Sequence, residues 1–362
     1  MILINNDKRV VLYDNIRIIA TILVVIGHAT TLSVVNGIDI YQPFISNNVS
    51  NILLLIKNLI YSFHMPLFVF LSGCTFSLSY NGENAFDWIK RKGKLYIRDY
   101  LLISLLVYIP LRLLFGYYGN NINLLNILFN DVFLGKDINY LWYLIMLFNV
   151  SIIMRILIKS RLNRKKYIVL FLTLLLSILQ FSLPVLPFQL HRTMEFLFWF
   201  YLGSIFEENR KFIIKSINRF NNNILFLISI LSFMVLFIAF RYLDTTHFVV
   251  NIVIFVKLFK MVVRYMLELS GIILIIIICD KIGNIKCFLC NKIKENSYFI
   301  YLVHVPSIIL FSKLIEIILP KEYINNYIYF FLIILKMLFG LLVPIIIKMI
   351  FKMMRGYQNA NK

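Results

Sequence analysis

The stretch that decides the fold is YDNIRIIATILVVIGHATTL, residues 13–32. Its apolar run is long enough for a helix that crosses a bilayer, since about 20 residues at 1.5 Å per residue span roughly 30 Å. Arg17 and His28 lie inside this run, although a charged side chain at the bilayer centre costs roughly 2.5–3.5 kcal/mol on insertion scales. Two ionisable side chains kept at such a cost predict a function for this helix.

The rest of the chain is equally apolar, which predicts a polytopic membrane protein of the all-α class. The chain has 362 residues, of which 60% are hydrophobic, and its mean hydropathy is +0.83. A soluble core could not bury that much apolar side chain. The net charge of +20 comes from basic residues that lie between apolar segments. We therefore attribute it to membrane topology and to anionic lipids or phosphorylated ligands, not to nucleic acid.

Hydropathy divides the chain into about ten membrane-spanning segments, with no internal repeat and no soluble domain. The first segment has no A-x-A-like cleavage site, so we interpret it as a retained helix and not as a signal peptide. The whole chain, 1–362, is predicted to be a single membrane-embedded domain. The predicted spans are about 16–35, 53–79, 99–118, 138–158, 167–186, 188–206, 224–243, 262–279, 297–319 and 325–351.

The distribution of basic residues supports this count of spans and orients the chain. If the N-terminus is cytoplasmic, the cytoplasmic segments hold 25 lysines and arginines and the external loops hold six. The excess alternates loop by loop, as the positive-inside rule requires. The sequence therefore predicts that both termini are cytoplasmic and that the chain is a multi-pass protein of the plasma membrane.

Arg17 and His28 lie on one face of the first predicted helix. Eleven steps of 100° bring them to within about 20° of each other around the axis and roughly 16 Å apart along it. This pair fits a long acyl carrier that enters from the cytoplasm. Arg17 would hold a phosphate of coenzyme A, and His28 would meet the thioester as a general base. The alternative is an arginine that snorkels to the headgroups and a histidine that bonds to a neighbouring helix.

The four cysteines do not predict a metal site. Cys287 and Cys290 form a lone C-x-x-C, and the sequence contains no second pair. A structural zinc ion needs about four ligands. We interpret the two residues as reduced thiols in a cytoplasmic loop and predict no metal.

Four phrases resemble the integral-membrane acyltransferase-3 family. They are IRIIATILVVIGH at 16–28, SFHMPLFVFLSG at 62–73, YLWYLIMLF at 140–148 and IYLVHVP at 300–306. The phrases come in the family's order, and the Arg-x10-His pattern of its first helix corresponds to Arg17 and His28. The chain lacks the acidic residue that many relatives carry after the third phrase, so it is most similar to the fucose O-acetylase-like branch.

The resemblance implies transfer of an acyl group, usually acetyl from acetyl-CoA as co-substrate, to a hydroxyl of a bacterial surface carbohydrate. It implies that His28 is the catalytic base and that Arg17 helps to bind the donor. The family's basic motif in the first cytoplasmic loop corresponds to KRKGK at 90–94, which implies donor binding by Arg91 and Lys94. A plain positive-inside loop is the alternative for this motif.

Glu195 is the candidate catalytic partner of His28. It lies in the outer part of the sixth predicted span, about as deep as His28, and a carboxylate can orient a histidine and stabilise its protonated form. The alternative is a local pair with His191, four residues earlier. His191 itself is a candidate contact for the acceptor at the outer mouth.

His64 and Ser72 are candidates for the substrate channel. His64 precedes Pro66, where we expect the helix to kink because proline removes a backbone hydrogen bond. Ser72 and Gly73 are small, which allows a close approach of a second helix or of the donor. For His64, the alternative is a buried histidine with a structural hydrogen bond.

His304 and Trp142 complete the candidates. His304 lies in the inner half of the ninth predicted span and could line the donor channel. Trp142 suits either a substrate platform or an interfacial aromatic belt. His247 is predicted to lie in a solvated external loop.

The sequence leaves two functions open. The first is a membrane O-acyltransferase with a carbohydrate acceptor, in contact with membrane lipid and with enzymes of polysaccharide synthesis as candidate partners. The alternative is a transporter or flippase of a lipid-linked sugar. Intramembrane charges favour that alternative, but two matching halves with interrupted helices are not visible.

Overall fold

The computed structural model describes residues 10–360 apart from short gaps. The gaps fall at 32–33, 36–37, 40, 81, 120–121, 137–138, 161–163, 185 and 246–252. Lys8 and Arg9, which count toward the predicted cytoplasmic charge, lie outside the described residues, and so does His247.

The described residues are almost entirely helical, which confirms the predicted all-α class. A short antiparallel ladder pairs β1 (Val34–Val35) with β2 (Ile38–Asp39). Two π-helical segments, Ser104–Tyr108 and Ile127–Phe133, follow α4 and α6. The α-helices are α1 Val11–Ala29, α2 Asn47–Tyr61, α3 His64–Ser79, α4 Ala85–Ile103, α5 Ile109–Leu114, α6 Leu124–Asn126, α7 Trp142–Lys159, α8 Lys166–Leu179, α9 Leu190–Ile217, α10 Asn222–Thr245, α11 Val253–Ile282, α12 Phe288–Ile318 and α13 Asn326–Ala360.

The described part of the chain contains seven helical segments that are long and apolar enough to cross a membrane. They match seven of the predicted spans, so a multi-pass membrane protein is confirmed, whereas the count of ten stays a prediction. The other three predicted spans are 99–118, 167–186 and 188–206. Of these, 167–186 holds α8, which has only 14 residues. The seven segments are Val11–Ala29, Asn47–Ser79, Asn139–Lys159, Asn223–Thr245, Phe255–Ile282, Phe288–Ile318 and Asn326–Met354.

The helix breaks next to Pro66, as its sequence predicts. α2 ends at Tyr61 and α3 begins at His64, with a turn at 62–63 between them. Pro66 therefore lies in the first turn of α3, where a missing N–H breaks no helical hydrogen bond.

The described residues group into two compact units. The central unit comprises Met65–Pro110 and Tyr118–Ile278. The terminal unit comprises Val10–His64, Leu111–Tyr117 and Cys279–Lys362. The terminal unit thus contains the whole of α1, α2, α12 and α13.

The first helix is the centre of the terminal unit. Val25 and Ala29 of α1 are fully buried in one cluster with Ile300 and Ile308 of α12 and with residues of α13. Dispersion contacts of this kind hold helices together where lipid removes the usual hydrophobic driving force. The face of α1 that carries Val25 and Ala29 is therefore packed against protein.

A polar anchor fixes the beginning of the same helix. The Asn15 side-chain amide donates to the carbonyl oxygen of Cys279 at 3.1 Å and to that of Gly283 at 2.6 Å. Carbonyl groups at a helix C-terminus have no partner within the helix. Asn15 satisfies one of them at Cys279 and a second carbonyl at Gly283, just after α11, and so holds the N-terminal half of α1 in place.

Glycines set the distance between α3 and α9 in the central unit. A Cβ atom built on Gly73 would lie 1.9 Å from the carbonyl oxygen of Phe200, and one on Gly203 would lie 2.0 Å from that of Phe70. The two backbones are therefore in direct contact, with a glycine on each side. This confirms the close helix approach predicted from the small residues at 72–73.

We expect Gly73→Ala and Gly203→Ala each to lower the stability of the protein. The added Cβ clashes with backbone atoms, which cannot rotate away. We therefore expect each substitution to lower the free energy of unfolding by about 2 kcal/mol or more, since overpacking typically costs about 1–3 kcal/mol. The midpoint of thermal unfolding in detergent measures the effect.

Gly93→Ala on α4 is the matched control for this prediction. The added Cβ would lie 3.8 Å from Cε2 of Phe148, an ordinary contact, and alanine is the better helix former. Gly93→Ala should leave the midpoint unchanged or raise it. Equal midpoints for all three variants would contradict the role of the α3–α9 contact.

Candidate active site

Three histidines and one tyrosine, named here the histidine cluster, meet in the terminal unit. The ring centroids of His28 and His304 are 5.2 Å apart, and those of His28 and Tyr61 are 6.1 Å apart, both edge to face. Tyr61 stacks on His64 with a centroid distance of 4.9 Å. The structure thus brings together His28, His64 and His304, which the sequence presents in three separate segments.

Two members of the histidine cluster are committed to backbone carbonyl groups. Nδ1 of His64 donates to the carbonyl oxygen of Ile60 at 2.9 Å. Nδ1 of His304 donates to the carbonyl oxygens of Ile300 and Tyr301, at 3.1 and 2.8 Å. Because a carbonyl oxygen can only accept, these contacts place the proton of each neutral imidazole on Nδ1.

His28 differs from both of these histidines. Within the part of the chain that the structure describes, no hydrogen bond engages its ring nitrogens. Its side chain is half-buried, whereas His64 and His304 are 6% and 0% exposed. His28 is therefore the member of the histidine cluster for which the described residues engage neither ring nitrogen in a hydrogen bond.

Gly27 makes room for the ring of Tyr61 beside His28. A Cβ atom on Gly27 would lie 2.6 Å from Cε1 of Tyr61, closer than two non-bonded carbon atoms can approach. The absence of a side chain just before His28 thus allows one aromatic ring to contact both His28 and His64.

Two lysines add positive charge beside the histidine cluster. Nζ of Lys57 lies 5.6 Å from the centre of the Tyr61 ring. Lys336 of α13 is only 3% exposed, and its Nζ donates to the carbonyl oxygen of Thr31 at 2.5 Å. Both lysines interact electrostatically with His28. This arrangement favours negative charge that develops on a substrate near His28.

Arg17 lies toward the beginning of α1, in an ion pair. Its Nη1 donates to Oδ1 of Asp14 at 3.3 Å, and Nζ of Lys294 lies 3.8 Å from Oδ2 of the same carboxylate. Two cations thus share one carboxylate, and the three residues together carry a net positive charge. Such a group can attract a phosphate, which would compete with Asp14 for the two cations.

Glu195 lies in the central unit, within a chain of charged side chains. Its carboxylate accepts from Arg192 at 3.2 Å and from Arg264 at 2.6 Å. Arg264 also donates to Glu268 at 2.9 Å, and Glu195 and Glu268 are both buried. The local partner of Glu195 is therefore Arg192, three residues earlier, and not His191. Its predicted role beside His28 stays a prediction.

The candidates for the substrate channel in the central unit have partners of their own. Oγ of Ser72 lies 3.0 Å from the hydroxyl oxygen of Tyr143. The guanidinium of Arg192 lies 5.0 Å over the ring of Trp142. Nδ1 of His191 donates to a backbone carbonyl at 3.3 Å. Their roles in acceptor binding stay predictions.

The basic motif at 90–94 lies on helix α4. Its predicted place on the cytoplasmic side, between two spans, stays a prediction. Ala85–Ile103 is continuous helix, and the Asn84 side chain caps its N-terminus by accepting from the backbone N–H of Phe86. Arg91 forms an ion pair with Glu83, and Lys94 is exposed.

Lys92 lies between two aromatic rings of the same helix. Its Nζ is 5.7 Å from the centre of the Trp88 ring and 5.5 Å from that of Tyr96. Burial and, secondarily, the charge of Arg91 lower the pKa of Lys92 to about 8, and Glu83 opposes this shift only in part.

The cysteines are free in the structure. Cys287 is the residue just before α12, and Cys290 lies in the first turn of that helix. Across the described ranges, no group of three or more histidine, cysteine, aspartate or glutamate side chains is arranged to hold a metal ion.

The sequence by itself did not point to Tyr61, Lys294 or Lys336 as part of a site. Lys336 did leave a signal, because it interrupts the last apolar segment in the phrase LKMLFG at 335–340, and a charge inside a span is a functional candidate. Tyr61 and Lys294 have no such signal. Their relevance comes from their contacts with other helices.

The fold is that of a multi-pass membrane protein. Its histidine cluster contains one residue, His28, whose ring nitrogens make no hydrogen bond to the described residues. The sequence model of one family, acyltransferase-3, described as an acyltransferase domain, matches residues 11–349. The chain belongs to this family. It is therefore an enzyme, an acyltransferase that transfers groups other than aminoacyl groups. No curated protein and no solved structure matches the chain.

We expect the amine of Lys92 to titrate near pH 8 in the folded protein. Its folded pKa of about 8 lies below the value of about 10.4 for an unfolded chain. The unfolded state thus binds more protons between these two values, and stability rises with pH across that window. Competitive labelling with acetic anhydride, followed by mass spectrometry of the Lys92 peptide, measures the midpoint. The denatured protein is the control, and a folded-state midpoint near 10.4 would refute the burial of this amine.

Proposed function

We propose that the protein transfers an acetyl group from acetyl-CoA to a hydroxyl of a cell-surface polysaccharide or its lipid-linked precursor. His28 is the general base. The observation that carries this proposal is the difference within the histidine cluster. His64 and His304 donate Nδ1 protons to backbone carbonyls, whereas no hydrogen bond in the described ranges engages a ring nitrogen of His28.

In the proposed reaction the acetyl group passes directly from the sulfur of coenzyme A to the oxygen of the acceptor hydroxyl. His28 removes the proton of the acceptor hydroxyl as its oxygen bonds to the thioester carbonyl carbon. The carbon–sulfur bond then breaks, and the proton passes from His28 to the sulfur of coenzyme A. The negative charge that develops on the carbonyl oxygen is stabilised by nearby cations, for which Lys57 and Lys336 are the candidates.

The donor is held at the other end of α1. Arg17 and Lys294 bind a phosphate of coenzyme A in place of part of their contact with Asp14. The distance along the helix from Arg17 to His28, roughly 16 Å, suits the extended pantetheine arm. Arg91, Lys94 and His304 are proposed as further donor contacts, and Glu195, His64, Ser72, Trp142 and His191 as contacts near the reacting groups.

The membrane arrangement is part of the proposal. The proposal has ten spans in the plasma membrane with both termini cytoplasmic, and the 25 to six distribution of basic residues supports this orientation. The donor then approaches from the cytoplasm. The fucose O-acetylase-like branch, a carbohydrate acceptor and association with enzymes of polysaccharide synthesis belong to the same proposal.

We expect His28→Gln to lose acetyl transfer by about 10²- to 10⁴-fold, because general-base catalysis contributes an effect of that size. Purified protein with radiolabelled acetyl-CoA and a polysaccharide acceptor gives the rate of label transfer. His247→Gln removes a different histidine and should retain the wild-type rate. An unchanged rate in His28→Gln would eliminate His28 as the base, and solute uptake by proteoliposomes without acetyl-CoA would favour a transporter instead.

We expect Arg17→Ala to weaken the binding of coenzyme A by about tenfold or more, since a charge-assisted hydrogen bond is worth roughly 1.5–3 kcal/mol. Asp14→Asn should bind it at least as tightly as the wild type, because the competing carboxylate is removed. Calorimetric titration measures both affinities. Arg219→Ala is the control, because Arg219 is an exposed arginine just beyond the end of α9. Identical affinities for Arg17→Ala and the wild type would rule out the phosphate contact.

A further inference from the structure

The central unit contains a cavity of about 190 Å³, which is lined by residues of α3, α7, α8 and α9. Half of its lining residues are apolar: Met154, Leu157, Ile158, Val169 and Ile205. A smaller apolar cavity in a protein, of about 150 Å³, can stay free of water and hold a molecule the size of benzene. The cavity is therefore large enough for a segment of one hydrocarbon chain.

Polar side chains of the cavity lining are bonded to the protein itself. Oγ of Ser77 lies 2.6 Å from Oγ of Ser204, so one of these hydroxyls donates to the other. The hydroxyl of Tyr201 donates to the carbonyl oxygen of Lys166 at 3.4 Å. A polar ligand would have to compete with these bonds, whereas an apolar chain leaves them intact. The lining therefore favours hydrocarbon over a polar molecule.

The cavity reaches the protein surface at an ion pair. Glu208 lines the cavity and pairs with Lys166, the first residue of α8. The two side chains are 41% and 44% exposed. An exposed ion pair of this kind contributes little to stability. A ligand that offers an opposite charge to each partner can therefore replace the pair at little cost.

Helix α8 continues from this ion pair with an exposed apolar face. Ile168, Phe171 and Leu172 are 49%, 64% and 42% exposed. In a membrane protein, we expect such side chains to contact the hydrocarbon chains of the bilayer. Val169 lies on the same helix and lines the cavity. The chains of membrane lipids are thus next to the cavity when the protein is in its membrane.

We propose that the cavity binds one acyl chain of a zwitterionic phospholipid, whose headgroup replaces the ion pair at the surface. The ammonium of an ethanolamine headgroup contacts the carboxylate of Glu208, and its phosphate contacts the ammonium of Lys166. Both protein charges stay paired in this arrangement. An anionic headgroup offers a partner to Lys166 but none to Glu208. The proposal does not rest on the proposed acetyl transfer.

The test compares the lipid retained by the wild type and by Glu208→Gln. Each protein is exchanged into a mild detergent with equal amounts of phosphatidylethanolamine and phosphatidylglycerol that carry the same acyl chains. Native mass spectrometry then measures the bound lipids. We expect the wild type to retain phosphatidylethanolamine in preference to phosphatidylglycerol. Glu208→Gln should bind phosphatidylethanolamine about tenfold more weakly, the effect of one charge-assisted hydrogen bond, and should lose the preference.

Glu322→Gln is the matched control for this substitution. Glu322 is also an exposed carboxylate, and it is not among the residues that line the cavity. This variant should retain both lipids as the wild type does. A loss equal to that of Glu208→Gln would show a general effect of net charge and would overturn the headgroup contact.

Val169→Phe tests the cavity itself. Val169 is 2% exposed and lines the cavity, so a phenylalanine ring at this position takes up volume that the acyl chain needs. We expect retention of phosphatidylethanolamine to fall several-fold. Adding this lipid to delipidated protein should raise the midpoint of thermal unfolding for the wild type, because a ligand of the folded state stabilises it, but not for Val169→Phe. Glu208→Gln changes an exposed side chain, so the test stands even if Val169→Phe does not fold.

Two groups of results would overturn the proposal. Equal retention of phosphatidylethanolamine by the wild type, Glu208→Gln and Val169→Phe would eliminate the site, and so would a wild type that retains none of it. A wild type that prefers phosphatidylglycerol, or a preference for phosphatidylethanolamine that Glu208→Gln leaves unchanged, would eliminate the zwitterionic headgroup. Acetyl transfer by His28 is measured separately, so either proposal can fail without the other.

Discussion

Every polar group inside a bilayer must find its partner within the protein, and this constraint explains most of the polar contacts of the chain. The hydroxyl groups of Ser72, Ser307 and Ser312 all donate to the carbonyl four residues earlier on their own helix. His64 and His304 use the same solution through Nδ1. His28 differs from these two histidines, because the described chain supplies no hydrogen bond to either of its ring nitrogens. The role proposed for His28 rests on this difference.

The charged groups follow the same constraint in two different ways. In the central unit, Arg264 joins Glu195 and Glu268, so that buried charges of opposite sign neutralise one another. In the terminal unit, Arg17 and Lys294 share the single carboxylate of Asp14 and keep an excess of positive charge. A balanced network leaves no buried charge uncompensated, whereas an excess of positive charge attracts an anion.

Small residues control how closely these groups can approach. Gly73 and Gly203 allow two backbones of the central unit to touch. In the terminal unit, Gly27 leaves space for the ring of Tyr61 next to His28 because it has no side chain. The precision of the histidine cluster thus depends on an absent side chain as much as on the imidazole groups themselves.

The amino-acid sequence by itself determined the membrane class, the helical architecture, the break before Pro66 and the family. These properties depend on hydropathy and on residue order, which are local along the chain. Its motifs also singled out His28, His64 and His304. Only the tertiary structure decided that these three residues meet, that Lys294 approaches the carboxylate of Asp14, and that Arg264 donates to Glu195. Contacts of this kind join residues that are far apart in sequence, and the spacing along one helix says which face a side chain occupies but not which neighbour it faces.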